Sequence, residues 1–436
     1  MNLNIANMKS KVQVFKSPIA EWKQLMLLIF FASVIIYWRN PLFFLLPRVF
    51  AEEPGGYLLN ALKNSLPQSF GFTLAGYFSI IPNFASELAA KIFPLEYAGH
   101  VFTSVGLIVQ LLTVVSIYYS IGRILPTRVF SATTALFILV IAKPETWLNT
   151  VFSMYWLSAG MFFLLNTKRI SQFHILYSTL AFLTGPTSLI WLPFFGLRWF
   201  LGYDSSKRKE KRVGVVFGIG LIALAVNIYL SYLMPRTISI GSRLSLEMLR
   251  NLPRGFISMY AHLFASGGYP QTIVLLVIFV IGIVMFTLLR RSDLRFRIFT
   301  AGALLYYGFT TAILSFEMMG GNRYALPVTT GIFSLAVLGL ATVFLSNSIK
   351  AKRSQQILFV FTIVFIMGNR LIEFHDFTGT YAGSNYVYDR NWPNWKEQIL
   401  ATDRSIGGEI KTFPQWAGTN LQGTDWAFLL PPKVGR

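Results

Sequence analysis

The chain has 436 residues, of which 54% are hydrophobic and only 13% are charged, and its mean hydropathy is +0.54. A soluble domain carries about 25% charged residues, so this composition indicates an integral membrane protein. The absence of cysteine excludes disulfides, thiolate zinc sites and a cysteine nucleophile. The net charge of +20 comes from short basic segments between apolar runs, a pattern typical of cytoplasmic loops and not of a nucleic-acid-binding surface.

A membrane-spanning helix needs about 20 mostly apolar residues. By this measure the sequence predicts an all-α, polytopic bundle of about eleven transmembrane helices. The predicted spans lie near residues 22–38, 98–120, 129–142, 155–167, 170–185, 187–202, 213–233, 270–290, 297–316, 325–346 and 355–371. The stretch "LTGPTSL" leaves two alternatives open, because Gly185 and Pro186 fit either a tight turn between two helices or a kink within one.

The basic segments predict the orientation of the bundle. If the spans alternate, "KSKVQVFK", "GRILPTR", "DSSKRKEKR" and "RRSDLRFR" all fall on one side, which the positive-inside rule identifies as the cytoplasm. The N-terminus is then cytoplasmic and the C-terminus is outside. Residues 1–371 form the bundle, including an outer loop at 39–97, and residues 372–436 form a short polar tail on the outer face. The cytoplasmic segments are too short for a domain, so chemistry is expected outside or within the bundle.

The outer loop contains the sequence "RVFAEEPGGYLL", in which Glu52 and Glu53 follow Arg48 at the membrane surface. Two amphipathic stretches in this loop, "GGYLLNALKNSL" and "NFASELAAKIF", predict helices lying at the membrane interface. One interpretation of the two acids is helix capping, because carboxylates near a helix N-terminus contribute about 0.3–1 kcal/mol each. The other is a catalytic carboxylate, because ionisable groups at a lipid boundary are costly and tend to be functional.

A second polar segment, "KPETWLNTVFSMYW", covers residues 143–156. On a shared helix, Asn149, Ser153 and Trp156 would lie on one face, and such a face suits a sugar, which offers hydroxyls to amides and C–H groups to rings. Glu145 precedes this face. The alternative is a polar helix start with a tryptophan at the membrane interface.

A third segment, "EMMGGNRYALPV", contains Arg323 and Tyr324 after two glycines. Glycines allow a backbone to approach a ligand closely, and an arginine holds a phosphate through paired N–H donors. The alternative is interfacial snorkelling of the arginine. The outer loop at 234–269 is also basic, which favours anionic lipid headgroups or a phosphorylated lipid substrate.

Nucleotide-driven chemistry is disfavoured, because the chain has neither a DxD pair nor a P-loop. His100 and His262 are isolated, and no two histidines have the spacing of metal ligands, so no metal is predicted. The adjacent His375 and Asp376 in the tail leave a divalent metal as the alternative.

Together, the acidic pair after the first span, "AGYFSIIPNF", "PETWLN…YW", "LTGPTSLIWLPFF" and "GNRYALPV" resemble bacterial glycosyltransferases of the GT-C fold. These polytopic enzymes use polyprenyl-phosphate sugars and are distantly similar to protein mannosyltransferases and arabinosyltransferases. The resemblance implies a lipid-phosphate sugar donor, a glycan, lipid or protein hydroxyl as acceptor, and inversion at the sugar. It also implies that a first-loop acid is the general base. Family members often carry Glu-Asp or Asp-Asp at this point, whereas this chain carries Glu52-Glu53, with Glu52 narrowly preferred.

The resemblance also implies a location in the bacterial cytoplasmic membrane and roles for further residues. Arg323, with Arg48, would neutralise the leaving lipid phosphate. Residues expected to contact the substrates are Tyr77, Glu145, Asn149, Trp156 and Tyr324. Two other functions stay open: a transporter or flippase of lipid-linked sugars, although no internal repeat is evident, and an O-antigen polymerase or ligase, although residues 234–269 lack an Arg-x₁₀-Gly pattern. If both acids are only caps, a structural subunit is a further alternative.

Overall fold

The computed structural model describes residues 18–39, 41–47, 49–50, 52–74, 77–121, 128–142, 146–167, 170–201, 210–233, ten residues between 302 and 331, and 380–381, 384–385, 394–403, 406–411 and 427–432. The predicted spans at 270–290 and 355–371 lie outside the described residues, and those at 297–316 and 325–346 lie mostly outside them.

Seven helices coincide with the first seven predicted spans. They are α1 (Pro18–Arg39), α2 (Ala98–Ile121), α3 (Arg128–Ile141), α4 (Ser153–Asn166), α5 (Gln172–Phe182), α6 (Leu192–Leu201) and α7 (Lys211–Leu233). They form because each is a predominantly apolar run with few charges, and in a membrane a helix satisfies every backbone polar group internally.

Within the described residues, three helices are long and apolar enough to cross a membrane, at Glu21–Arg39, Leu95–Ser120 and Lys211–Leu230. The helices α3 to α6 have 14, 14, 11 and 10 residues. At 1.5 Å per residue they are about 15–21 Å long, shorter than the roughly 30 Å hydrocarbon core. The predicted count of eleven spans is therefore not confirmed.

The outer loop is helical where the amphipathic patterns predicted helices. Its helices are Leu42–Leu45, the π-helix Glu53–Leu58, Leu59–Lys63, Leu66–Phe70, Ile80–Glu87, a second π-helix Leu88–Ile92 and the 3₁₀ turn Leu95–Tyr97. A short hairpin of β1 (Thr73–Leu74) and β2 (Tyr77–Phe78) separates the two helical stretches. Buried Glu87 joins them, because it accepts a hydrogen bond from the Ser69 hydroxyl and pairs with Lys91 at 2.7 Å.

The stretch "LTGPTSL" is a turn between two helices, which decides the alternative that the sequence left open. Helix α5 ends at Phe182, Gly185 adopts φ +88°, and a 3₁₀ turn at Leu189–Trp191 leads into α6. The turn also supports β2, because the Gly185 N–H donates to the Phe78 carbonyl at 3.1 Å. Asn227 of α7 accepts the Phe78 N–H at 3.0 Å from the other side.

Buried arginines mark the two ends of the bundle. Arg39, at the end of α1, donates to the carbonyls of Leu139 and Ala142 at 2.7 and 2.6 Å, so α1 and α3 end on the same side. At the opposite end Arg198 donates to the Leu165 carbonyl at 2.5 Å and pairs with Glu210 at 2.8 Å. The ends of α4 and α6 and the start of α7, which the charges assign to one membrane side, are therefore in contact through Arg198. Which side is the cytoplasm stays a prediction.

The C-terminal residues contribute two hairpins and a helix. The strands are β3 (Thr380–Tyr381) with β4 (Ser384–Asn385), and β5 (Gly408–Lys411) with β6 (Ala427–Leu430), each pair antiparallel. The C-terminal helix Trp395–Ala401 begins at Asn394, whose side chain accepts the backbone N–H groups of Lys396 and Glu397. This helix and β6 contact the outer loop, so the tail packs on the same end of the bundle as the two acids.

Candidate carboxylate site

Glu53 is a buried structural acceptor that joins two distant segments. Its side chain is 1% exposed and accepts the backbone N–H of Phe50 through Oε2 at 2.7 Å. Its Oε1 accepts both the backbone N–H and the hydroxyl of Thr150, each at 2.7 Å. A buried carboxylate requires such donors, because burying an unpaired charge is very costly. Glu53 therefore fixes the start of the π-helix to the 146–150 loop.

The 146–150 loop is held in an unusual backbone conformation against α2. Leu148 has φ +48°, a left-handed conformation that is uncommon for a residue with a Cβ. A Cβ added at Gly106 would lie 2.8 Å from the Leu148 carbonyl carbon, so the loop backbone rests directly on α2. Arg39 lies over the Trp147 ring at 4.4 Å and gives the loop a second contact. The strain at Leu148 is a cost that this packing offsets.

Glu52 occupies a different environment from its neighbour. It is half-buried at the N-cap of the π-helix, and its side chain makes no capping hydrogen bond there. The N–H groups that Glu53 accepts belong to Phe50 and Thr150, outside the π-helix, so these contacts are not helix caps either. Glu52 lies within electrostatic reach of Tyr57, one turn further along the π-helix.

Tyr57 is a buried phenol beside this acid. Burial is the main factor that raises the pKa of Tyr57 well above its usual value, followed by nearby Tyr77 and the charge of Glu52. The phenol is therefore neutral and keeps its proton at physiological pH. Among the residues that the structure describes, the Tyr57 hydroxyl has no hydrogen-bond partner. A buried donor without a partner is rare in folded proteins, and here it lies beside a carboxylate.

Tyr77 approaches Tyr57 from the β1–β2 hairpin, next to the 183–188 turn. A Cβ added at Gly185 would lie 3.5 Å from the Tyr77 ring and 2.8 Å from the sulfur of Met154. The glycine is therefore required both by its positive φ and by this close packing. Of the predicted site residues, the structure thus brings together Glu52, Glu53 and Tyr77.

Asn149 and Trp156 do not share a helix, which corrects the expectation of one polar face. Helix α4 begins at Ser153, and Asn149 lies before it, where its side chain accepts the Phe152 N–H at 2.8 Å. This side-chain turn precedes the helix, so Asn149 is not part of it. Trp156 is buried, and its indole donates to the Thr146 carbonyl at 2.8 Å. Both side chains thus brace the 146–150 loop, and their contact with a substrate stays a prediction.

The remaining predicted site residues lie outside the described residues: Arg48, Glu145, Arg323 and Tyr324. The same holds for His262, for the adjacent His375 and Asp376, and for the basic loop at 234–269. In the part of the chain that the structure describes, no three histidine, aspartate or glutamate side chains are grouped as metal ligands.

Two residues of this site, Thr150 and Tyr57, have no sequence signal that points to it. Thr150 lies 97 positions after Glu53, and a single threonine among apolar residues carries no signal of such a pairing. Tyr57 stands in the quoted "EEPGGYLL" segment, where an aromatic residue on an interfacial helix is ordinary. Only the fold reveals that its hydroxyl is buried near the acid.

The close contact at Gly106 leads to a prediction about stability. Gly106→Ala places a methyl group against the backbone of Leu148 and Asn149, which cannot move without disturbing the Thr150–Glu53 contacts. We expect a loss of about 1–3 kcal/mol in stability, as for other overpacked sites, measured as a lower midpoint of thermal unfolding in detergent. Gly218→Ala in α7 is the matched control, because a Cβ there meets nothing within 4 Å. Equal midpoints for the two variants would contradict the contact.

No protein-family model matches the chain, and no curated protein is similar to it. Among solved structures, the chain is similar to the archaeal oligosaccharyltransferase AglB from Archaeoglobus fulgidus, in complex with an inhibitory peptide and a dolichol-phosphate. The identity is 14% and the TM-score 0.42, and the match covers 87% of this chain and 59% of the archaeal chain. The chain thus spans about three fifths of that protein's length, and a TM-score below 0.5 identifies neither a family nor an activity.

Proposed function

We propose that this chain is a membrane glycosyltransferase that moves a sugar from a polyprenyl-phosphate donor to a hydroxyl acceptor on the outer face, with Glu52 as the general base. The observation that carries the proposal is the different use of the two adjacent acids. Glu53 is engaged by the donors of Phe50 and Thr150. Glu52 is half-buried and lies within electrostatic reach of Tyr57.

Glu53 is a poor candidate for the base because of its surroundings. Its oxygens already accept two backbone N–H groups and one hydroxyl, each at 2.7 Å. These donors stabilise the ionised carboxylate and occupy the oxygens that a substrate hydroxyl would have to reach. A base must come within about 2.6–3.2 Å of the proton that it abstracts. Glu52, at the N-cap and with part of its surface accessible, meets that requirement better.

The reaction balances as a single displacement. The Glu52 carboxylate takes the proton of the acceptor hydroxyl while the acceptor oxygen forms a bond to the anomeric carbon. The bond from that carbon to the phosphate oxygen breaks on the opposite face, which inverts the configuration. The lipid phosphate leaves as an anion and needs cations, not a proton donor. We assign this electrostatic role to Arg48 and Arg323, because a guanidinium group pairs its N–H donors with phosphate oxygens.

Tyr57 fits this scheme as a hydrogen-bond donor. Its phenol keeps its proton because burial raises the pKa of Tyr57, and its hydroxyl has no partner within the described residues. A donor of this kind is satisfied when a polar substrate atom occupies the site, and an unsatisfied buried donor costs about 1–3 kcal/mol. Substrate binding would therefore recover part of that cost. Tyr77 extends the aromatic surface on which a sugar ring packs.

The proposal is tested by reconstituting the purified protein in liposomes that contain a polyprenyl-phosphate sugar labelled in the sugar. With a membrane extract as the source of acceptor, we expect the label to leave the lipid phosphate and to appear in a new glycosidic bond. Anomeric analysis of the product should give the inverted configuration.

The same liposomes separate transfer from transport. A flippase would move the labelled lipid between leaflets while the sugar stays attached to the phosphate. An impermeant reagent that destroys the sugar on exposed lipid distinguishes the two results. Movement between leaflets without a new bond, with several donors tested, would replace the proposed function by the transporter alternative.

A further inference from the structure

The C-terminal segment, defined as the C-terminal helix Trp395–Ala401 with the β5–β6 hairpin, is fastened to the outer loop. Trp395 is 3% exposed, and its indole N–H donates to the Leu95 carbonyl at 2.9 Å. The ammonium of the adjacent Lys396 lies 5.1 Å from the centre of the Tyr97 ring. Both contacts reach the turn that precedes α2, so the segment has a defined docking point.

The hairpin of this segment is packed on one face. Ile410 and Leu430 are 0% and 3% exposed, and both belong to the hydrophobic core that includes Trp395. An isolated two-stranded hairpin cannot bury a face on its own. The C-terminal helix packs on β5, and β6 packs on the π-helix Glu53–Leu58. The segment therefore connects the docking point at Leu95 to the helix that begins at the two acids.

That π-helix needs support from outside. Its sequence begins Glu53-Pro54-Gly55-Gly56, and each glycine costs about 1 kcal/mol relative to alanine in a helix. The π-helical hydrogen-bond pattern is rare and occurs mostly as single turns at functional sites. Tertiary contacts must hold such a helix in place, and they come from Thr150, from the outer-loop helix Ile80–Glu87 and from β6.

We infer that the C-terminal segment is a wall of the carboxylate site that holds the π-helix in its working position, and that Trp395 is the positioning residue that anchors this wall. We assign no reacting group to the segment. It acts through the π-helix, which carries Glu53 and Tyr57 and has Glu52 at its N-cap. The catalytic consequence rests on the proposed function, whereas the effect on the position of the helix does not.

The chain has no cysteine, so single-cysteine reporters measure the position of the helix directly. Leu58→Cys reports on the π-helix and Leu430→Cys on the docked hairpin, since both positions are buried. Ser116→Cys, at a fully buried position of α2, reports on the bundle. In detergent, Trp395→Ala should raise the rate of maleimide labelling at positions 58 and 430 about tenfold, because labelling follows local opening. Position 116 should stay protected.

Leu400→Ala is the matched control, because Leu400 lies on the same helix but is 64% exposed. It should leave the labelling at all three positions unchanged. If Trp395→Ala also increases labelling at position 116, the three positions are compared again in Trp395→Phe, which removes the N–H donor and keeps an aromatic ring. Unchanged labelling at position 58 would overturn the inference, and so would an equal increase in Leu400→Ala.

Measuring sugar transfer by the same variants distinguishes the role of the C-terminal segment from the proposed function. In the transfer assay, Trp395→Ala should lower kcat at least as strongly as it raises KM, because the π-helix carries the reacting groups rather than a remote binding surface. Increased labelling at position 58 with unchanged kcat would contradict the catalytic role of the wall. If the unmodified chain shows no transfer, the proposed function fails, and the labelling result still decides whether the segment positions the helix.

Discussion

Glu52→Gln should lower the rate of sugar transfer by about 10²–10⁴-fold, the typical contribution of general base catalysis. Glutamine has the shape of glutamate but accepts no proton, so the acceptor hydroxyl would have to attack the anomeric carbon while still protonated. Glu52 makes no capping hydrogen bond with its own helix, so the π-helix does not lose a capping contact in this variant. The measurement is the transfer rate at saturating donor, together with the midpoint of thermal unfolding.

Glu52→Asp is the companion variant. It keeps a carboxylate but shortens the side chain by one methylene, which moves the base away from the proton it accepts. We expect a rate between those of the unmodified chain and Glu52→Gln, because proton transfer depends on hydrogen-bond reach. Full activity of Glu52→Gln would remove Glu52 as the base. If Glu52→Gln lost both activity and stability, the result would indicate a structural role for Glu52.

Tyr57 gives an independent view of the same site. Tyr57→Phe removes the buried hydroxyl that has no partner among the described residues and keeps the ring that packs edge-on against Phe72 at 5.5 Å. A fold that relied on the hydroxyl would lose stability, whereas a substrate-binding donor would leave stability unchanged or slightly higher. The contrast with Glu52→Gln is informative, because the tyrosine is expected to affect substrate binding and the glutamate the chemical step.

The apolar runs predicted the helices well because a membrane helix is specified locally. The run at 22–38 is found as Pro18–Arg39, and the run at 98–120 as Ala98–Ile121. The amphipathic stretches of the outer loop are likewise helical, because their apolar residues recur at helical spacing. The number of true spans was not accessible in this way, since length in the membrane depends on where each helix ends, and α5 ends at Phe182 after 11 residues.

The contacts between segments had no local signal. The spacing of Asn149, Ser153 and Trp156 predicted one shared helix. Instead, Leu148 has a positive φ and the Asn149 side chain forms a turn before the helix starts. Leucine rarely adopts that conformation, so no pattern predicts it. It is stabilised by packing against Gly106, by Arg39 over Trp147 and by the bond from Thr150 to Glu53. Each of these contacts joins residues that are far apart in the sequence.

Glu53→Gln should mainly lower the stability of the fold, whereas Glu52→Gln should mainly lower the rate of transfer. The carboxylate accepts the N–H of Phe50 at one oxygen and both donors of Thr150 at the other. A glutamine presents one NH₂ group, which would face at least one of these donors and leave it without an acceptor. Each buried unsatisfied donor costs about 1–3 kcal/mol, and a hydrogen bond to a charged group about 1.5–3 kcal/mol. We expect a loss of about 3 kcal/mol or more, measured as a lower unfolding midpoint and a lower yield in the membrane.

Variants of Thr150 divide this loss into its parts. Thr150→Val removes the hydroxyl but keeps the backbone N–H, so it should cost about 1.5–3 kcal/mol, the value of one hydrogen bond to a charged group. Thr150→Ser keeps the hydroxyl and should be nearly neutral. In the double variant Glu53→Gln with Thr150→Val, the loss of stability should be smaller than the sum of the losses in the two single variants, because both substitutions remove the same contact. Strict additivity would mean that the two residues do not interact, and the support of the π-helix would then rest on its contacts with the helix Ile80–Glu87 and with β6.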